Sequence, residues 1–80
     1  MQKSITSPEY ARFLKTLREA RERAGLTQID MAERLDETQS FVSKCERGER
    51  RIDVVELHAF CQAMGITLKQ FVEELEISLR

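Results

Sequence analysis

The sequence predicts an all-α fold in which five short helices form one domain. Its 80 residues are too few for two domains of ordinary size. Three glycines each follow a stretch with apolar residues at helical spacing, as glycines that end helices do: Gly25, Gly48 and Gly65. The chain has one proline, and no stretch alternates apolar and polar residues over the length of a strand.

Residues that favour helix starts divide the chain into predicted helices over residues 8–24, 28–35, 39–47, 54–64 and 68–76. The predicted N-caps are Ser7, Thr27, Thr38, Asp53 and Thr67. Pro8 takes the first helical position, which has no intrahelical N–H bond to lose. Asp53 with Glu56 and Thr67 with Gln70 match capping boxes. We therefore place the domain at residues 8–76, between an N-terminal extension (1–7) and a C-terminal tail (77–80).

Each predicted helix carries an apolar stripe at 3.6-residue spacing, which predicts the hydrophobic core. In the first three helices the stripe contains Tyr10, Phe13, Leu14, Leu17, Ala24, Met31, Ala32, Leu35, Phe41, Val42 and Cys45. In the last two it contains Leu57, Phe60, Cys61, Met64, Leu68, Phe71, Val72 and Leu75. Because 41% of the residues are apolar, the chain can bury one small core.

Composition argues against several classes of protein. No run approaches the roughly 18–20 apolar residues of a membrane-spanning helix, and residues 1–6 lack the apolar run of a secretory signal. Cys45 and Cys61 match neither a disulfide framework nor a metal-ligand spacing, so we expect buried thiols in a reducing cytoplasm and no metal or cofactor. His58 has no Cys or Ser partner at a catalytic spacing, so we expect no enzymatic activity.

The net charge of −1 gives no whole-chain argument for nucleic-acid binding, but the charge is unevenly distributed. Five basic and two acidic residues give residues 11–25 a charge of +3, and four basic and two acidic residues give residues 38–52 a charge of +2. Residues 26–37 and 53–80 each carry −3. A local basic surface is therefore compatible with the acidic total.

The second and third predicted helices are short and separated by only three residues, which is the arrangement of a helix-turn-helix unit. One side of the third helix is apolar, and the opposite side carries hydroxyl and cationic groups: Ser40, Ser43, Lys44 and Arg47. Gln39 lies in the first turn and is expected to project from the end of this helix. Such a face suits base edges or phosphates in a major groove, and it equally suits an ordinary solvated surface.

Two charges lie beside the inward stripes without an evident partner on their own helices. Arg21 shares the side of the first helix that holds Leu17, and Glu46 lies one step from Val42 and Cys45. Because charges leave water only when paired, we predict an ion pair between Arg21 and Glu46. The alternative is that both side chains reach solvent at the rim of the core.

Three segments carry a family resemblance, namely Leu26-Thr27-Gln28, Met31-Ala32-Glu33-Arg34-Leu35, and TQSFVSKCERG over residues 38–48. They closely resemble the phage-repressor/Cro-type helix-turn-helix family, also called lambda-repressor-like or XRE. The resemblance extends over about residues 10–75. It implies a compact five-helix domain that binds double-stranded DNA sequence-specifically and regulates transcription as a repressor, with the third helix in the major groove. It also implies a bacterial or phage origin.

The resemblance assigns roles to residues by their position. The residues that would contact base edges are Gln39, Ser40 and Lys44. The residues that would contact phosphates are Gln28, Thr38, Ser43, Arg47, Arg50 and Arg51. The predicted Arg21–Glu46 pair also matches an interhelical ion pair that some members contain.

The chain departs from the family pattern at four points. Asp36 stands where a glycine is usual, Glu37 replaces a small apolar residue near the expected DNA surface, and Cys45 replaces a bulky aliphatic residue. The acidity of the whole chain is the fourth departure. Because Asp tolerates a left-handed backbone better than most residues, we expect these changes to affect DNA affinity more than the fold.

Assembly and partners complete the sequence-based hypotheses. A module this small makes few base contacts, so we expect a homodimer on a two-fold symmetric operator with half-sites about 34 Å apart. The candidate dimer contacts are Phe71, Leu75, Ile77 and Leu79. In the alternative, Phe71 and Leu75 fill the core while the chain end frays. A second functional hypothesis is an antitoxin-like or adaptor module whose acidic C-terminal half binds another protein, with DNA binding secondary or absent.

Overall fold

The computed structural model describes residues 7–80, and these residues form five α-helices without a strand. The helices are α1 (Pro8–Arg23), α2 (Gln28–Leu35), α3 (Gln39–Glu46), α4 (Val54–Met64) and α5 (Leu68–Leu79). The all-α, five-helix prediction is confirmed. Of the predicted N-terminal extension, residues 1–6 lie outside the described part of the chain. None of the described helices combines the length and the apolar character needed to cross a bilayer.

Every described helix begins directly after the residue that the sequence predicts as its N-cap. In each case the cap side chain accepts a hydrogen bond from the backbone N–H three residues later. The two predicted capping boxes are present, and Thr27 forms a third with Asp30. The sequence analysis missed this box because Asp30 stands where the usual pattern has Glu or Gln. Local hydrogen bonding therefore fixes where these short helices start.

The helix ends differ from prediction mainly in α5, which continues to Leu79, three residues past its expected end. The last residues are therefore helical, where the sequence suggested a tail or a frayed end. No glycine or proline occurs between Leu68 and Leu79, so no helix-breaking residue interrupts α5. Contacts with α1 also hold this end, because Arg12 donates to the carbonyl of Ser78 and Arg23 Nη1 lies 2.9 Å from Glu74 Oε2.

The core lies where α1 packs against α3 and α5, α2 packs against α3 and α4, and α4 packs against α5. Its largest fully buried side chains are Phe60, Phe71, Leu17, Met31, Val42, Cys45 and Cys61. Two predicted core residues, Ala24 and Val72, are instead exposed. Ala24 lies past the last turn of α1, where the helical spacing no longer applies, and Val72 is rotated by about 100° from Phe71 on α5.

Asp36 ends α2 in the left-handed conformation, with φ 58° and ψ 43°. It is the one residue other than glycine with positive φ among residues 7–80. Its N–H donates to the Glu33 carbonyl, and the next N–H, of Glu37, donates to the Ala32 carbonyl at 2.9 Å. The prediction that the turn keeps its form without a glycine is confirmed. This turn sets the angle between α2 and α3, so the departure from the family pattern lies at a position that orients the helix-turn-helix.

We predict that Asp36→Gly raises the free energy of unfolding by about 1 kcal/mol, because glycine removes the steric cost of the left-handed backbone. Urea denaturation followed by circular dichroism measures the change. The matched control is Glu33→Gly, inside the same helix, which should lower stability by about the same amount. Equal destabilisation by both changes would show that the backbone at position 36 is not strained.

Candidate nucleic-acid interface

The two sides of α3 differ as the sequence predicts. Val42 and Cys45 are fully buried, and Phe41 packs against the core at the edge of the helix. The opposite side is open: the side chains of Gln39, Ser40 and Lys44 are exposed. The exposed side of α3 therefore presents the amide of Gln39 and the hydroxyl of Ser40 in its first turn and the ammonium group of Lys44 in its last turn.

A buried ion pair attaches α3 to α1. Arg21 Nε lies 2.6 Å from Glu46 Oε2 and Arg21 Nη2 lies 3.1 Å from Glu46 Oε1, in a two-pronged contact. The two side chains are only 9% and 5% exposed. Arg21 Nη1 also donates to the Leu26 carbonyl at 2.8 Å. The Arg21–Glu46 pair predicted from the sequence is thus present, and all three guanidinium nitrogens donate to groups inside the protein.

Two glutamines extend this ion pair to the exposed start of α3. Gln28 Nε2 donates to Glu46 Oε1 at 3.0 Å, and Gln39 Nε2 donates to Gln28 Oε1 at 3.3 Å. We call this arrangement the Glu46–Gln28–Gln39 network. The half-buried Gln28 thereby uses both ends of its amide within the protein, and one Nε2 hydrogen is left for the phosphate contact that the resemblance assigns to it.

The arginines assigned to phosphates are engaged with groups of the same chain. Arg47 Nε lies 2.8 Å from Glu49 Oε2, and Arg47 also donates to Ser43 Oγ. Arg50 makes a two-pronged contact with Glu56, at 2.6 and 3.1 Å, and lies 4.8 Å above the Phe41 ring.

Arg51 and Lys44 complete the set of cations in this region. The guanidinium of Arg51 lies 4.5 Å above the Tyr10 ring. Lys44 has no ion-pair partner within residues 7–80. The sequence analysis did not find the acidic and aromatic partners of Arg47, Arg50 and Arg51, because all except Glu49 come from other elements of the fold.

These contacts shift ionisation in the expected directions. The guanidinium of Arg47 holds the pKa of Glu49 below its ordinary value. That of Arg50, with the backbone N–H of Asp53, does the same for the pKa of Glu56. Both arginine–carboxylate pairs are therefore charged at neutral pH, so the positive charge of this loop is partly neutralised before any ligand binds.

Comparison with known proteins identifies this geometry. A family model described as a helix-turn-helix domain matches residues 9–78. The chain belongs to the XRE-type helix-turn-helix family. Its members are DNA-binding transcriptional regulators, which confirms the prediction made from the α2–α3 motifs.

Individual relatives agree with this assignment. The control protein C.MunI from Mycoplasma sp is 32% identical over 63 residues, which is 79% of this chain and 82% of that protein. The structure of an XRE-family like protein from Pseudomonas syringae pv. tomato str. DC3000 is 45% identical, with a TM-score of 0.80 over 86% of this chain and 84% of that one.

A third relative shares the fold at lower identity. The wild-type restriction-modification controller protein C.Esp1396I is 20% identical, with a TM-score of 0.84 over 92% of this chain and 96% of that one. A further structure of C.Esp1396I is a tetramer in complex with its natural 35 base-pair operator, with a TM-score of 0.82 over 91% of this chain and 96% of that one. At this identity the likeness shows the fold alone.

In this XRE-type regulator the four candidate dimer residues do not share one surface. Phe71 is fully buried in the core with its ring edge-on to Phe13, so its side chain cannot contact a second subunit. Ile77 lies beside α1 in a groove with Lys15 and Glu74. Leu75 and Leu79 instead line a shallow concavity with Val72 and Glu76, whose apolar members we call the α5 apolar face.

Phe71 is therefore a correction to the sequence-based assignment of dimer contacts, and Val72, which the sequence placed in the core, is exposed on the α5 apolar face. An apolar residue at helical spacing predicts burial, but spacing alone does not say whether the burial is in the domain core or in an interface. Tertiary packing decides this, because α5 directs Phe71 towards α1 and leaves Val72 45% exposed.

The thiols behave as the sequence suggests. Cys45 and Cys61 are free and fully buried. Desolvation raises the pKa of both thiols, so neither is a reactive thiolate at neutral pH.

We predict that Glu56→Gln destabilises this regulator at neutral pH and that the difference from wild type disappears in acid. The folded-state pKa of Glu56 is lowered, so its stabilisation is present above the ordinary value of 4.5 and is lost as the pH falls through the lowered value. Urea denaturation from pH 7 to pH 3 measures this. Glu73→Gln, at an exposed α5 carboxylate, is the control. A pH-independent effect of Glu56→Gln would show that the Arg50–Glu56 pair does not stabilise the fold.

Proposed function

We propose that this XRE-type regulator represses transcription by binding, as a homodimer, to a two-fold symmetric operator with α3 in the major groove. The observation that carries the proposal is the exposed polar side of α3, formed by Gln39, Ser40 and Lys44, on a helix that the buried Arg21–Glu46 pair holds at its C-terminal end. When a helix is held on its buried side, its exposed polar side chains can place donors and acceptors at fixed positions along a groove. It would act in the cytoplasm, where bacterial DNA lies, and we assign it no catalytic reaction.

The chemistry of the three base-contacting side chains suits different base edges. Gln39 offers an amide oxygen and an N–H, the pair that matches N6 and N7 of adenine. Lys44 offers only donors, which match O6 and N7 of guanine, and Ser40 can serve either base. These three residues are consequently our candidates for sequence recognition.

The phosphate contacts are proposed in two groups. We assign direct contacts with the DNA backbone to the first group, which consists of Thr38, Ser43, Arg47 and Arg51. Arg47 is paired with Glu49, but both side chains are more than half exposed, and an ion pair so exposed contributes little. Arg47 can therefore exchange Glu49 for a phosphate at small cost.

Arg50 and Gln28 form the second group, because both are already hydrogen-bonded within the protein. Arg50 would have to release Glu56 to bind phosphate, whereas Gln28 keeps one Nε2 hydrogen for such a contact. Arg50 is held by both oxygens of Glu56, which in turn accepts the N–H of Asp53 at the start of α4. We propose that Arg50 mainly braces the loop between α3 and α4. This differs from the direct phosphate role that the family resemblance implies for it.

The proposed dimer uses the α5 apolar face, formed by Val72, Leu75 and Leu79. The structure of C.Esp1396I on its operator is a tetramer, so assembly on DNA occurs in a protein of this fold. A two-fold axis through the α5 apolar face would set this patch against itself, as an isologous interface requires. The antitoxin-like or adaptor alternative would instead cover this face with a different protein.

The first test of this proposal is selection of bound fragments from a random duplex library. A two-fold symmetric consensus is expected. Lys44→Ala should then relax the preference at one base pair of each half-site by about 1–3 kcal/mol, because a donor to the base edge is lost. The matched control is Lys69→Ala on α5, which should leave both affinity and preference unchanged. No enriched sequence, or equal effects of the two lysine changes, would contradict groove recognition by α3.

The second test concerns assembly. Val72→Glu combined with Leu79→Glu should convert a dimer into a monomer of 9.3 kDa, because charge would be buried in an apolar interface. Analytical ultracentrifugation measures the mass, and circular dichroism verifies the fold. Ile77→Glu is the control, since Ile77 is exposed on another side of the same helix and should leave the dimer intact. If Ile77→Glu dissociates the dimer and the double change does not, the dimer interface lies at the groove between α1 and α5 that contains Ile77.

A further inference from the structure

Side-chain hydrogen bonds join the ion pair between α1 and α3 to the exposed N-terminal end of α3. The chemistry of Glu46 fixes which group donates and which accepts in each of these bonds. Glu46 carries a carboxylate, which only accepts hydrogen bonds. The group of Gln28 that faces Glu46 must therefore be its NH₂, as the 3.0 Å contact has it. The carbonyl oxygen of the Gln28 amide then lies on the opposite side, towards Gln39.

The same reasoning fixes the amide of Gln39. Because Gln28 presents an oxygen, Gln39 must turn its NH₂ towards Gln28, as the 3.3 Å contact has it. One N–H and the amide oxygen of Gln39 then remain for a ligand, in a defined order. An isolated glutamine on a helix surface could present these two groups in either order, since its amide can rotate by 180°.

The carboxylate at the origin of this network is held in place. Glu46 is almost completely buried, and two nitrogens of Arg21 donate to its two oxygens. Gln28 is half-buried between Glu46 and solvent, which restricts its rotation. Of the three, only Gln39 is fully at the surface.

We propose that Glu46 is a positioning residue for base recognition: acting through Gln28, it orients the Gln39 amide so that the base pair facing Gln39 is recognised as adenine·thymine. Glu46 does not touch DNA. This inference rests on the proposed function, because it assumes that α3 enters the major groove. It adds that the ion pair contributes to sequence preference as well as to stability.

The experiment measures a ratio of affinities. Fluorescence anisotropy gives the dissociation constants for the selected operator and for operators with each other base pair at the Gln39 position. A bidentate contact of this kind discriminates by roughly five- to 150-fold. Partial unfolding of a variant lowers affinity for every duplex by the same factor, so the ratio isolates recognition from stability.

Three variants separate the steps of the network. Gln39→Ala removes the contact itself. Gln28→Met removes both hydrogen bonds of Gln28 while keeping a side chain of similar length and leaving the ion pair in place. Arg21→Met combined with Glu46→Met removes the carboxylate without leaving an unpaired buried charge. The matched control is Gln62→Met, at an exposed position of α4.

We expect all three variants, but not the control, to reduce the discrimination at this base pair to less than threefold while preference elsewhere in the half-site is kept. If Gln39→Ala abolishes the discrimination and the other two variants retain it, the positioning role of Glu46 is refuted and the proposed function stands. If Gln39→Ala itself retains the discrimination while Lys44→Ala alters its own base pair, the contact by Gln39 is refuted together with the network. If no variant of α3 alters any preference, the proposed function fails.

Discussion

The orientation of α3 depends on one buried electrostatic contact, the pair of Arg21 and Glu46. α3 has only eight residues and two fully buried apolar side chains, so hydrophobic packing by itself holds it at few points. A two-pronged contact adds direction, because a guanidinium and a carboxylate meet well only when their planes and distances agree. Removing one partner of such a pair costs about 3–5 kcal/mol, a large share of what a domain of this size has. The position of α3 relative to α1 is accordingly determined by charge as well as by apolar burial.

The acidity of the whole chain and the DNA-binding class of its family are reconciled by where the charges lie. The loop after α3 is rich in arginine, and two of its arginines are bound to Glu49 and Glu56. This keeps the free protein close to neutral in a region where unpaired arginines would repel one another. Lys44 stands apart on the exposed side of α3, without an ion-pair partner in the described chain. Net charge is thus a poor guide to the surface that a phosphate backbone would meet.

Much of the fold could be predicted from local signals. Every N-cap has a Ser, Thr or Asp whose side chain reaches the third N–H of its helix, and this interaction lies within four residues of sequence. The left-handed residues that end α2 and α4 are equally local. One prediction failed because the helical spacing of α1 was extended past the end of that helix, to Ala24. Another failed because the spacing of Phe71 fits burial in the core and burial in a dimer interface equally well.

The sequence by itself determined the five helices, the α2–α3 turn, the polar face of α3 and the pairing of Arg21 with Glu46, because each depends on spacing along one helix or on a residue type with few ways to be satisfied. Only the tertiary structure decided the partners of Gln28, Arg50 and Arg51, and which apolar residues of α5 remain exposed. Those contacts join side chains from different elements of the fold, each of which has several chemically equivalent partners in the sequence. The choice among such partners is made by the distances and angles between packed helices, which no local pattern encodes.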